Sequence, residues 1–166
     1  MNAVEIATRM ETDAIKFYSE AANKTDNPVG RKMFLSIVAD EKRHLEMLQR
    51  FFNNLNLDFN SGSPMRAMKS IFEEMKSEML QRAEATKNEL EAFKIAMEME
   101  KEGIEFYKKA TLEAPSEKEK QLFEMLVREE EQHYAIFANT YFFMKESGSW
   151  FMWEEHSIVD GGTPWA

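Results

Sequence analysis

Residues Phe34–His44 read FLSIVADEKRH, and residues Phe123–His133, 89 positions further on, read FEMLVREEEQH. At that offset Phe34 meets Phe123, Val38 meets Val127, Glu41 meets Glu130 and His44 meets His133. The apolar positions recur at helical spacing, and Glu and His lie three apart, so each pair shares one helix face. The register extends upstream without a gap. Ile15, Phe17, Tyr18 and Ala21 meet Ile104, Phe106, Tyr107 and Ala110, and Asn27 meets Ser116. The chain reads as two helical hairpins of one design.

Capping residues set the bounds of four long helices. Asn2, with Glu5 three residues on, opens a helix from Ala3 to about Lys24. Asn27 followed by Pro28 opens a second, to about Asn54. Thr86 and Glu89 form a capping box for a third, to about Glu113. Ser116 opens the fourth, with Glu117 and Glu119 in its first turn and Gly148 to stop it. Between the second and third, a turn cluster at Asn60–Pro64 precedes Met68, Ile71, Phe72, Met75 and Met79 at helical spacing. This predicts a helical crossover from Met65 to about Ala85, roughly 30 Å long at about 1.5 Å per residue. The expected fold is all-α, an antiparallel four-helix bundle over residues 1–146 with its crossover at 55–86.

Composition narrows the chemistry. The 166 residues carry 30 acidic and 21 basic side chains, a net charge of −9. Such a surface argues against nucleic acid and against anionic membranes as partners. There is no Cys, which removes disulfides, thiol nucleophiles, thiolate zinc and rubredoxin-type iron. The first residues are charged throughout, with no secretory apolar core and no run that could span a membrane, so a cytoplasmic protein is expected.

Each helix has an apolar stripe interrupted midway by an ionisable group. The stripes read Val4, Ala7, Glu11, Ile15, Tyr18, Ala22; then Phe34, Ile37, Glu41, His44, Leu48, Phe51. The second hairpin gives Phe93, Met97, Glu100, Ile104, Tyr107, Ala110, then Phe123, Leu126, Glu130, His133, Phe137, Tyr141. Glu11 and Glu41 are equidistant from the first turn at Asp26, and Glu100 and Glu130 from Pro115. Four Glu and two His therefore converge on one layer of the core. Two of the three His each have Glu three and thirty-three residues earlier, which composition alone yields on the order of once in a thousand sequences. Buried carboxylates in that number need neutralising, and two divalent cations match four negative charges. Carboxylate and imidazole without thiolate suit iron or manganese better than copper.

The order Glu, Glu-x-x-His, Glu, Glu-x-x-His resembles the ferritin-like di-iron carboxylate superfamily. Met10-Glu11 with Phe17-Tyr18, and Met99-Glu100 with Phe106-Tyr107, resemble its rubrerythrin branch. The resemblance implies two iron ions, with manganese or mixed occupancy as an alternative. Glu41 and Glu130 would bridge them, Glu11 and His44 completing one ion, Glu100 and His133 the other. It also implies an oxidoreductase reacting with hydrogen peroxide or oxygen, protective against oxidative stress, or alternatively a ferritin-like protein that oxidises and handles iron. With no rubredoxin domain in the chain, electrons would come from a separate protein such as a rubredoxin, and a homodimer is expected. Rubrerythrins carry a further carboxylate one turn after the third-helix Glu, and here that position is Gly103. A symmetric six-ligand centre follows, with Gly103 and its repeat partner Ala14 leaving room for a small ligand.

Tyr18 and Tyr107 share the face of the ligand Glu and are read either as packed core or as hydrogen-bond donors to a ligand carboxylate. Asp40 and Glu129 each precede a His by four residues. They are read as solvated charges, with the orientation of that His as the functional alternative. Glu98, Glu102 and Glu131 fall off the stripe and are read as surface. The tail at 147–166 holds all three Trp and is expected to pack on the bundle or on a partner subunit, with His156 as a non-ligand.

Overall fold

The computed structural model describes residues 1–59, 63–79 and 84–150. Its four long helices begin behind the predicted caps. In α1 (Ala3–Lys24) the Asn2 and Glu5 side chains each accept the other's backbone N–H, at 2.9 and 3.1 Å. Asn27 accepts from Val29 and Gly30 at the start of α2 (Pro28–Phe52). The crossover contains α3 (Pro64–Glu74) and α4 (Lys76–Met79). Thr86 and Glu89 form the capping box of α5 (Lys87–Glu113), and Ser116 caps α6 (Glu117–Ser147). Gly148 ends α6 at φ 72°, a left-handed conformation that glycine adopts without a Cβ penalty.

The fold is all-α. α1 and α2 form one antiparallel hairpin, α5 and α6 the other, and the two meet along α1–α5 and α2–α6 within one chain. The crossover departs from the expected single helix. At Met75 the backbone leaves helical geometry (φ −105°, ψ 25°), although its N–H still reaches Ile71 O at 2.9 Å. Met68, Phe72 and Met75 are buried where α3 packs against α2 and α6, whereas Lys76 and Ser77 are exposed. Packing rather than propensity sustains such a helix.

Two apolar clusters fill the bundle. One holds Tyr18, Phe34, Ile37, Phe93, Phe137 and Trp150; the other holds Val4, Leu48, Tyr107, Phe123 and Leu126. Trp150 is buried, edge-on to Phe93 with ring centroids 5.2 Å apart, and its indole N–H donates to Glu89 Oε1 at 3.1 Å. A Cβ at Gly30 would come within 2.5 Å of the Trp150 ring, so the absence of a side chain there is what admits it. The remainder of the expected tail, with Trp153, His156 and Trp165, lies outside the described residues. Between the two clusters runs a polar layer.

Candidate metal centre

That layer is built from the interruptions of the four stripes. α1 contributes Glu11, α2 Glu41 and His44, α5 Glu100, and α6 Glu130 and His133, none more than 3 % exposed. Ligand atoms of Glu11, Glu41, His44 and Glu130 all lie within 4.8 Å of one another. So do those of Glu41, Glu100, Glu130 and His133. The structure thus brings together all six side chains in two groups of four that share Glu41 and Glu130.

Both imidazoles turn Nδ1 into the layer. His44 Nδ1 lies 3.2 Å from Glu130, 3.4 Å from Glu41 and 3.7 Å from Glu11. His133 Nδ1 lies 2.8 Å from Glu41, 3.3 Å from Glu130 and 3.6 Å from Glu100. The outer nitrogens cross between hairpins: His44 Nε2 meets Glu129 Oε1 at 3.1 Å, and His133 Nε2 meets Asp40 Oδ2 at 2.9 Å.

This corrects the reading of Asp40 and Glu129 as solvated charges. The Glu129 side chain is fully buried and that of Asp40 only 16 % exposed. Neither orients the His on its own helix: Glu129 meets the outer nitrogen of His44, and Asp40 that of His133. Arg43, which the sequence reading did not single out, donates to both: Nη1 and Nη2 to Glu129 at 3.0 and 2.5 Å, and Nη2 to Asp40 Oδ1 at 3.1 Å. The sequence signal was there in Asp40-x-x-Arg43-His44, an acid and a base one helical turn apart.

Tyr18 and Tyr107 act as donors, each to the opposite hairpin. Tyr18 bonds Glu100 Oε1 at 2.7 Å and Tyr107 bonds Glu11 Oε1 at 2.5 Å. Burial and those carboxylates raise both phenol pKa values well above the ordinary range. Glu98, Glu102 and Glu131 are exposed, as expected.

Burial and mutual charge shift the titration of the layer. Burial, then the charges of Glu11 and Glu100, push Glu41 up to about 8. Burial, then Glu130, raises Glu100 well above the usual carboxylate range. Burial alone would also raise Glu11, but the hydrogen bond with Glu41 and the charge of His44 outweigh it and hold Glu11 at about 2. Burial opposes charge on both imidazoles, yet the facing carboxylates, Glu11 for His44 and Glu100 for His133, lift them well above 6.5.

The donor set fits a pair of cations. Among the described residues, Glu11 Oε2, Glu41 Oε1 and His44 Nδ1 are buried and make no well-aligned hydrogen bond, the latter two despite polar neighbours at 2.8 and 3.2 Å, and such groups are costly to leave unmet. A cavity of about 150 Å³ between α1 and α5 reaches Glu11 and Glu41, lined in part by Met10, Asp13, Ala14, Met99, Glu102 and Gly103. Gly103 is buried at its wall, and a Cβ there would find only Met10 Cε, at 4.0 Å.

Comparison with known families agrees with this layout, since the rubrerythrin family model matches residues 2–141. The chain belongs to the rubrerythrin family. No curated protein and no solved structure matches it. A rubrerythrin domain is a ferritin-like di-iron carboxylate domain, and its four-helix arrangement is the one described here. No helix among the described residues is long and apolar enough to cross a membrane.

Proposed function

We propose that this rubrerythrin is a di-iron oxidoreductase whose oxidant is hydrogen peroxide or oxygen. Its ligands are Glu11, Glu41, His44, Glu100, Glu130 and His133. The carrying observation is the pair of overlapping four-ligand groups opening on a small cavity. Bound iron would supply electrons to the oxidant and Lewis acidity toward it.

The chain's own residues prepare that chemistry. Glu41 and Glu130 belong to both groups and would be shared by the two cations. Glu11 and His44 would complete one position, Glu100 and His133 the other. The Tyr107 and Tyr18 hydroxyls fix the rotamers of Glu11 and Glu100 while leaving the second oxygen of Glu11 unpartnered among the described residues. Glu41, Glu100 and the two imidazoles release protons as cations arrive, because a ligand must present its deprotonated form. The cavity wall at Ala14 and Gly103 leaves space beside the ligands for a molecule of peroxide size. A separate protein such as a rubredoxin returns the electrons, and the working form is a cytoplasmic homodimer. Leu112 (88 % exposed) and Phe52 (62 %) are available for subunit contact.

A second reading, iron handling of the ferritin type, draws on one observation. Asp13 and Glu102 are exposed at the cavity wall, where they attract entering cations. The two separate on anaerobic loading with iron(II) followed by stoichiometric peroxide. Rapid two-electron oxidation at two irons per chain, reversed by reduced rubredoxin, supports the oxidoreductase. Uptake continuing beyond two irons per chain supports iron handling, and failure to bind two irons defeats both.

A further inference from the structure

The two halves of the centre share their six inward side chains at the repeat offset, but behind the imidazoles they differ. Each cation position draws three carboxylates and one imidazole, and each imidazole has an outer carboxylate on the other hairpin. At the repeat offset of 89, Asp40 corresponds to Glu129, but Arg43 corresponds to Gln132. Gln132 turns away, its Oε1 accepting from Met65 N of α3 at 3.2 Å. Arg43 alone joins the network, and it does so unevenly.

Glu129 accepts from Arg43 on both oxygens, and its Oε1 takes Arg43 Nη2 and His44 Nε2 together. Asp40 accepts from Arg43 on Oδ1 only, leaving Oδ2 wholly to His133. A carboxylate oxygen already bonded to guanidinium has less negative charge to offer an imidazole N–H. The two contacts follow that order, 2.9 Å from His133 to Asp40 against 3.1 Å from His44 to Glu129. A stronger acceptor on the outer nitrogen makes the inner nitrogen the better metal donor.

We propose that Arg43 is a positioning residue that makes the two metal positions unequal, so that a divalent cation fills the Glu100/His133 position ahead of the Glu11/His44 position. The proposal rests on the metal-binding reading above. Arg43 acts at a distance, by drawing charge from the carboxylate behind His44.

The test uses metal-free full-length protein and cobalt(II). A calorimetric titration gives the number of ions bound. Crystals grown with one equivalent per chain give the occupancy of each position by anomalous scattering. The expected result is two ions in total, with the first favouring Glu100/His133 by about tenfold, the lower end of what outer hydrogen bonds contribute. Arg43→Gln should bring that ratio toward one. Arg43→Lys, which keeps the charge but cannot fork across Glu129, should give an intermediate ratio and guards against a Gln variant that fails to fold. Equal occupancy in the wild type, preference for the Glu11/His44 position, or an unchanged ratio in a folded variant overturns the proposal. Fewer than two ions bound defeats the metal-binding reading itself, and the proposal falls with it.

Discussion

Glu129 of α6 meets His44 of α2 at 3.1 Å, while His133 on its own helix pairs instead with Asp40 of α2 at 2.9 Å. Each imidazole thereby ties one hairpin to the other, with its inner nitrogen among the carboxylates and its outer nitrogen on a carboxylate across the interface. Asp40→Asn keeps the shape of that contact and removes its charge. It should weaken one of two metal equivalents by about 10–100-fold and leave the other nearly unchanged. Competition against a chromophoric chelator reads both constants. Equal weakening of both equivalents would contradict a local role.

The protons held in the metal-free layer give stability a definite pH profile. Glu41, raised to about 8 from an ordinary 4.5, contributes stability that is present at low pH and lost as pH rises through that window. Glu100 and the two imidazoles, all raised, act in the same direction, the imidazoles above 6.5. Glu11 and Glu129, each held at about 2, act oppositely: their contribution is present above 4.5 and lost as pH falls toward 2. Burial opposes the charge on Glu129 too, but its bonds to His44 and Arg43 outweigh it. The metal-free protein should therefore be most stable near 4.5 and lose stability from there toward 8, more steeply above 6.5 where the imidazoles join the carboxylates. The loaded protein should show no such alkaline decline, since its ligands have already lost those protons. Urea denaturation of both forms across this range is the check, and parallel profiles would show that the layer does not hold these protons.

The six inward side chains were legible because each interrupts an apolar stripe, and stripe and spacing are both properties of a single helix. The helix starts were legible for the same local reason: Asn2, Asn27, Thr86 and Ser116 satisfy N–H groups within their own first turns. Glu129 was not, because it sits about 100° around α6 from Glu130, off the stripe, and is buried only where α2 and Arg43 cover it. The break at Met75 was hidden likewise. Met79 continues the helical spacing in the sequence, but at Met75 the backbone leaves helical geometry and a separate short helix follows.

Glu130 separates metal binding from folding. Its carboxylate is common to both ligand groups and lies in a layer with three other buried Glu. Glu130→Ala should abolish paired metal binding while the stability of the metal-free protein rises or barely changes, because a repelling charge has gone. Equilibrium unfolding of the metal-free variant decides the point. A loss of about 2–5 kcal/mol, the size of a core truncation, would mark Glu130 as a paired structural group instead.

Gly103 is where the chain departs from its family's extra carboxylate, and the space for one is still there. Glycine inside a helix costs roughly 0.8–1 kcal/mol relative to alanine, and here no close contact requires it, since an added Cβ would meet only Met10 Cε at 4.0 Å. The side chain that is missing would project into the cavity, one turn from Glu100. Gly103→Ala should therefore stabilise the metal-free protein by up to about 1 kcal/mol, the propensity difference alone. Gly103→Glu should place a carboxylate beside the Glu100/His133 position and add a seventh ligand without displacing metal. Crystal structures of the oxidised wild type and variant read the coordination directly. The six-ligand reading fails if the wild type draws a further carboxylate such as Glu102 into the shell, or if the introduced Glu turns away from the metal.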